Sequence, residues 1–152
     1  MNPGSGSTVA LHMRRIDDLL EEVARWAAGR GDVRAVALVG SRAREAQPDD
    51  AAADDADVDL VVLADDPGEL AYPAVWPRSL RAAHHQAIER WGAVTAHRVL
   101  LDRGLEVELG FATPQWASTD PLDEGTREVV RAGCRILHDP DALLAKLIAH
   151  VH

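Results

Sequence analysis

Two acidic residues one position apart, Asp57 and Asp59, open the apolar run Leu60-Val61-Val62-Leu63. On an extended strand, side chains two apart project from the same face. Carboxylates held side by side repel each other unless a cation lies between them. Upstream, a second apolar run, Ala35-Val36-Ala37-Leu38-Val39, ends in Gly40-Ser41. Glycine permits a tight turn there and serine can cap a following helix. Helix N-termini direct N–H groups outward and favour phosphate. A strand, a Gly-Ser turn and a paired-carboxylate strand together predict a divalent-metal site that handles phosphates. The Gly40 backbone and the Ser41 N–H and hydroxyl are assigned to the β- and γ-phosphates of a nucleotide. Arg42 and Arg44 are adjacent, and either can neutralise triphosphate charge.

Gly40-Ser41, a helical turn and then Asp57-x-Asp59 at the head of a strand resemble the motif of the polymerase-β-like nucleotidyltransferase superfamily. The stretch Leu38-Val-Gly-Ser-Arg-Ala-Arg44 is most similar to its small stand-alone (minimal) members. The gap between Ser41 and Asp57 is longer than the pattern has, and its acidic, Ala-rich residues 47–56 read as a loop insertion. The resemblance implies an enzyme that moves a nucleoside monophosphate from an NTP, ATP first among them, to a hydroxyl of a small molecule or protein. It implies two Mg²⁺ ions (or Mn²⁺) held by Asp57, Asp59 and a third carboxylate on a neighbouring strand, and it favours Arg44 for the triphosphate. Glu108 is assigned as that third ligand, doubling as general base, with Glu106 as runner-up. Two other readings stay open: an antitoxin-type minimal nucleotidyltransferase acting on a partner toxin, and a non-catalytic nucleotide-binding or interaction protein of the same fold.

The elements that must position these residues follow from periodicity. Leu11 to Arg30 predicts an amphipathic helix through Ile16, Leu19, Leu20, Val23 and Trp26, ended by Gly29 and Gly31. Val33–Val39 and Val58–Leu63 predict strands. Leu80, Ala83, Ala87, Ile88 and Trp91 lie on one side of a predicted helix from Ser79 to Trp91, with Trp76 before it read as a core residue. Val94 to Leu101 and Leu105 to Phe111, joined by Asp102-Arg103-Gly104, predict a hairpin. In its second strand Leu105, Val107 and Leu109 face one way, and Glu106, Glu108 and Gly110 the other. A short helix over Glu124 to Gly133, an apolar run Cys134 to Leu137 and a last helix opened by Asp139-Pro140 complete the chain. The expected fold is α+β (mixed α/β): a mixed sheet of about four strands with helices on one face and the carboxylates on an open one. Residues 1–10 read as a flexible tail and 11–152 as a single nucleotidyltransferase-like domain.

Composition narrows the partners. The chain has 152 residues and a formal charge of −9. That balance argues against a nucleic-acid track, because phosphate backbones attract basic surfaces. One cysteine, Cys134, excludes an internal disulfide, and without a signal peptide the cytoplasm is the expected compartment. No apolar run approaches a membrane-spanning length. The predicted cleft is shallow in so short a chain, so a homodimer or partner protein is expected to complete it.

Overall fold

A computed structural model describes residues 4–43, 58–81, 83–101 and 104–152. The loop at 47–56 lies outside the described residues, as do Arg44, Asp57 and Asp102-Arg103 of the hairpin turn. The described residues form a mixed α+β fold with six strands in the order β3-β4-β5-β2-β1-β6. These are β1 (Val33–Val39), β2 (Val58–Ala64), β3 (His84–Trp91), β4 (Val94–Leu100), β5 (Glu106–Ala112) and β6 (Cys134–His138). The helices are α1 (Gly4–Ala28), α2 (Arg78–Arg81), α3 (Glu124–Ala132) and α4 (Leu143–Val151). β2 pairs antiparallel with β1 and parallel with β5; the other pairings are antiparallel.

The central strands are buried on both faces, which corrects the expectation of helices on one face only. On the first face Val36, Leu38, Leu60, Val62, Leu109 and Phe111 pack with Leu19, Leu20 and Val23 of α1. On the second, Ala35, Ala37, Val61 and Leu63 pack with Trp116, Val130 of α3, and Leu144 and Leu147 of α4. Because both sides are covered, β1 and β2 are near-continuous apolar runs rather than alternating ones. α1 starts at Gly4, within the segment predicted as a tail. Once nucleated, a helix gains one hydrogen bond for each residue added, so extension is inexpensive.

The largest correction lies at 79–91. The helix there is four residues long, and residues 84–91 form strand β3 at the sheet edge. The helical spacing was misleading: Leu80 is buried, but Ile88 and Trp91 are exposed. The Ser79 N–H and hydroxyl donate to Glu22 at 2.9 and 2.7 Å, tying α2 to α1 rather than capping a long helix. β3 is held by β4, and a two-residue loop, Gly92-Ala93, joins Trp91 to its partner Val94, with Gly92 at φ +59°. Two strands, β3 and β6, thus extend the expected four-stranded sheet. α4 begins at Leu143, later than Pro140, yet both Asp139 carboxylate oxygens accept from its first turn, from Leu144 N at 3.2 Å and Ala145 N at 2.9 Å.

Trp76 is a core residue, as predicted; its Nε1 donates to Leu70 O at 2.7 Å. It packs edge-on against a pair of stacked imidazoles, buried His97 and exposed His85, whose Nδ1 and Nε2 lie 3.2 Å apart. Phe111 closes the other side of His97. Burial first, and then repulsion by His85, hold the His97 imidazole below the usual histidine range. The unfolded chain therefore binds more protons just below a pH of about 6.5, so this contribution to stability is full above that value and is lost as pH falls. Urea unfolding is expected to show stability declining from about pH 7 to about pH 5, and His97→Phe is expected to flatten that decline. An equally steep slope in the variant would exclude His97 as its source.

Candidate active site

The apolar residues of β1, β2 and β5 place a line of functional side chains across the sheet. Val39 stands opposite Asp59, Asp59 opposite Glu108, and Glu108 opposite Arg98 of β4. Register partners project from one face. In β2, Val58, Leu60 and Val62 belong to the first core, so Asp59 shares the second face with Val61 and Leu63. In β5, Val107, Leu109 and Phe111 likewise leave Glu106, Glu108 and Gly110 on the second face. Asp59 and Glu108 are both half-buried. They sit on adjacent parallel strands, which run about 4.8 Å apart. Glu106 is on the same face one step back and stands opposite Leu100. The register therefore sets Glu108, not Glu106, beside Asp59.

β1 delivers the turn to the same end of the sheet. Gly40 has φ +84°, a left-handed conformation that L side chains rarely adopt. A Cβ there would lie 3.1 Å from Asp59 Oδ2, so the missing side chain keeps space open beside that carboxylate. The Gly40 N–H itself donates to Gly133 O at 3.1 Å. Its contribution is the turn and the space, rather than the phosphate N–H expected of it. The helix expected after Gly40-Ser41 is a 3₁₀ turn, Ser41–Ala43, in its described part, closed by Ala43 N to Gly40 O at 3.1 Å. Arg42 is half-buried within that turn. The Ser41 side chain, Arg44 and Asp57 lie outside what is described.

On the far side of Glu108, Trp91 Nε1 donates to Glu108 Oε1 at 3.1 Å. Arg98, opposite Glu108, reaches Glu89 of β3 at 3.8 Å. The sequence reading assigned neither Trp91 nor Arg98 to the site. The available signal was Trp91-Gly92-Ala93-Val94, two apolar residues flanking a Gly-X pair, which marks a two-residue hairpin.

Among the described residues, no group of three His, Cys, Asp or Glu side chains is arranged to hold a metal ion, and Asp57 is not among them. The donors present, Asp59 and Glu108, are oxygen-only and suit a hard cation such as Mg²⁺ or Mn²⁺. A Cβ at Gly40 would stand against Asp59 Oδ2, so the glycine keeps space there. Other chemistry finds less support. Burial, and then the Asp139 charge, push the Cys134 thiol up to about 11, so it is not a nucleophile at neutral pH. A cavity of about 570 Å³ lies between α1 and β6, and one of about 210 Å³ lies beside Ser79 and Leu105; neither is lined by a residue of the carboxylate line. No described helix is long and apolar enough to cross a membrane. Comparison with protein-family models and with curated proteins finds no match to this chain.

Gly40→Ala tests the turn. Forcing a Cβ into a left-handed residue against Asp59 is expected to cost about 1–2 kcal/mol of unfolding free energy. Denaturant titration measures it, and a neutral result would mean that the turn tolerates a side chain.

Proposed function

We propose that this protein is a metal-dependent nucleotidyltransferase with a nucleotidyltransferase-like fold, acting on an NTP, ATP first among them, and on a hydroxyl of a small molecule or protein. One observation carries the reading. Asp59 and Glu108 stand in register on adjacent parallel strands, beside a left-handed glycine turn that ends the neighbouring strand. The resemblance of Gly40-Ser41 and Asp57-x-Asp59 to the superfamily motif points the same way.

Asp57, Asp59 and Glu108 would hold the cations, Mg²⁺ or Mn²⁺, which supply Lewis-acid charge against the triphosphate and lower the pKa of the acceptor hydroxyl. The chain's own groups do the rest by placement. The Ser41 turn, with Arg42 and Arg44, orients and neutralises the β- and γ-phosphates. That sets the nucleotide along the β1 side of Asp59. Glu108, on the side of Asp59 away from the turn, meets the acceptor and takes its proton as the new phosphoester bond forms at the α-phosphorus and pyrophosphate leaves. Catalysis is then mostly orientation and electrostatics. The acceptor side faces β4 and β3, where a homodimer or partner protein would complete a shallow cleft.

Calorimetric titration with non-hydrolysable analogues of the four common NTPs, with and without Mg²⁺, tests the reading. Wild type is expected to bind one analogue only with the metal, and Asp59→Ala to weaken that binding by roughly a hundredfold. At a ligand concentration of about 100 Kd the metal–nucleotide complex should also stabilise wild type by about 2.7 kcal/mol. Wild type that binds none of them, with Mg²⁺ or Mn²⁺, would overturn the proposal.

A further inference from the structure

Trp91 closes β3 and is 60% exposed, an unusual place for the largest apolar side chain. Its N–H nevertheless donates to a carboxylate two strands away, Glu108 Oε1 at 3.1 Å. Trp91 stands opposite Val94, and Glu108 opposite Arg98. The indole therefore crosses the intervening row, Glu89–Ala96–Gly110. The inner strands of that row carry only Ala96 and Gly110, and Gly110 is closely approached by Val94, whose Cγ1 would lie 2.8 Å from a Cβ there.

The choice of donor is informative. The cation standing opposite Glu108 in the sheet, Arg98, reaches toward Glu89 instead. A guanidinium on Glu108 would hold the side chain but also neutralise it. An indole N–H is a donor only, uncharged and not titrated near neutral pH. It makes a charge-assisted bond that fixes the carboxylate while leaving its negative charge in place.

Building on the nucleotidyltransferase reading, we propose that Trp91 is a positioning residue: its N–H holds Glu108 Oε1 and leaves Oε2 for the cation shared with Asp59. A glutamate that would otherwise sample several rotamers is thereby ordered before metal and nucleotide arrive.

The test combines fluorescence with calorimetry on the full chain. Trp76 and Trp116 are buried and Trp26 is partly buried, so quencher-accessible emission belongs mainly to Trp91. Mn²⁺, a paramagnetic quencher, is added with a non-hydrolysable ATP analogue to wild type, Trp91→Phe and Glu108→Gln. The accessible emission of wild type is expected to be quenched as the metal binds. That component should be missing from Trp91→Phe and unquenched in Glu108→Gln. Trp91→Phe keeps an aromatic ring and loses the donor; it should weaken metal-dependent binding by about fivefold, through the added cost of ordering the Glu108 side chain on binding, with the cooperative unfolding transition retained. If Trp91→Phe binds as tightly as wild type, or if Mn²⁺ bound by calorimetry leaves the Trp91 emission unmoved, the positioning role is overturned and the transferase reading stands. If wild type binds no metal–nucleotide complex at all, both fall together.

Discussion

The register of β2 against its two neighbours is the constraint on which the site depends. It pairs antiparallel with β1 and parallel with β5, and those two alignments together bring Asp59 beside both Gly40 and Glu108. Apolar patterning specifies this register only weakly, because Val58, Leu60 and Val62 are buried on one face and Val61 and Leu63 on the other. A shift of one residue would exchange valines for leucines at modest cost. It would also turn Asp59 into the core occupied by α1, where an unpaired carboxylate costs several kcal/mol, on the order of an unmet desolvation penalty. Asp59 thus acts as the register pin of the central strand.

The two faces divide the labour. The first face is filled as far as β4, with Trp76, Val99, Val107 and Leu105 continuing the core past α1. The second face is covered over part of its extent by α3, α4 and the turn at Pro114–Ala117. The uncovered part begins where the apolar residues of β2 and β5 give way to Asp59 and Glu108. An exposed salt-bridge clip, Arg34 to Asp65 at 3.2 Å and to Asp141 at 2.7 Å, sits at the other end of β1. Such pairs contribute little in water, so the covered end is held by its apolar contacts.

Much of this architecture was legible in the sequence, and the failures have identifiable causes. β1, β2, the β4–β5 hairpin, α1 and α3 were read from strong periodicity bounded by glycine or turn residues. The alternation in β5 separated Glu106 and Glu108 from the core residues, but nothing in the sequence states which strand lies beside which. The parallel β2–β5 pairing, whose register sets Glu108 rather than Glu106 beside Asp59, exists only in three dimensions; the assignment of Glu108 in the sequence rested on the family resemblance. β3 failed as a prediction because an edge strand exposed on most of its length has no buried face to impose a period of two. Its apolar residues fell at helical spacing by coincidence, and its place is set by pairing with β4. Trp91 was missed with it, since its value lies in a contact two strands away.

Charge connects the site to the composition. A chain at −9 that sets the half-buried Asp59 and Glu108 side by side repels a nucleoside triphosphate at long range and more strongly at contact. On the proposed reading a divalent cation would offset that repulsion where Asp59 and Glu108 stand in register. The same reasoning explains why an indole rather than a guanidinium on Glu108 suits such a site: it orders the ligand side chain without cancelling the charge that draws the cation in.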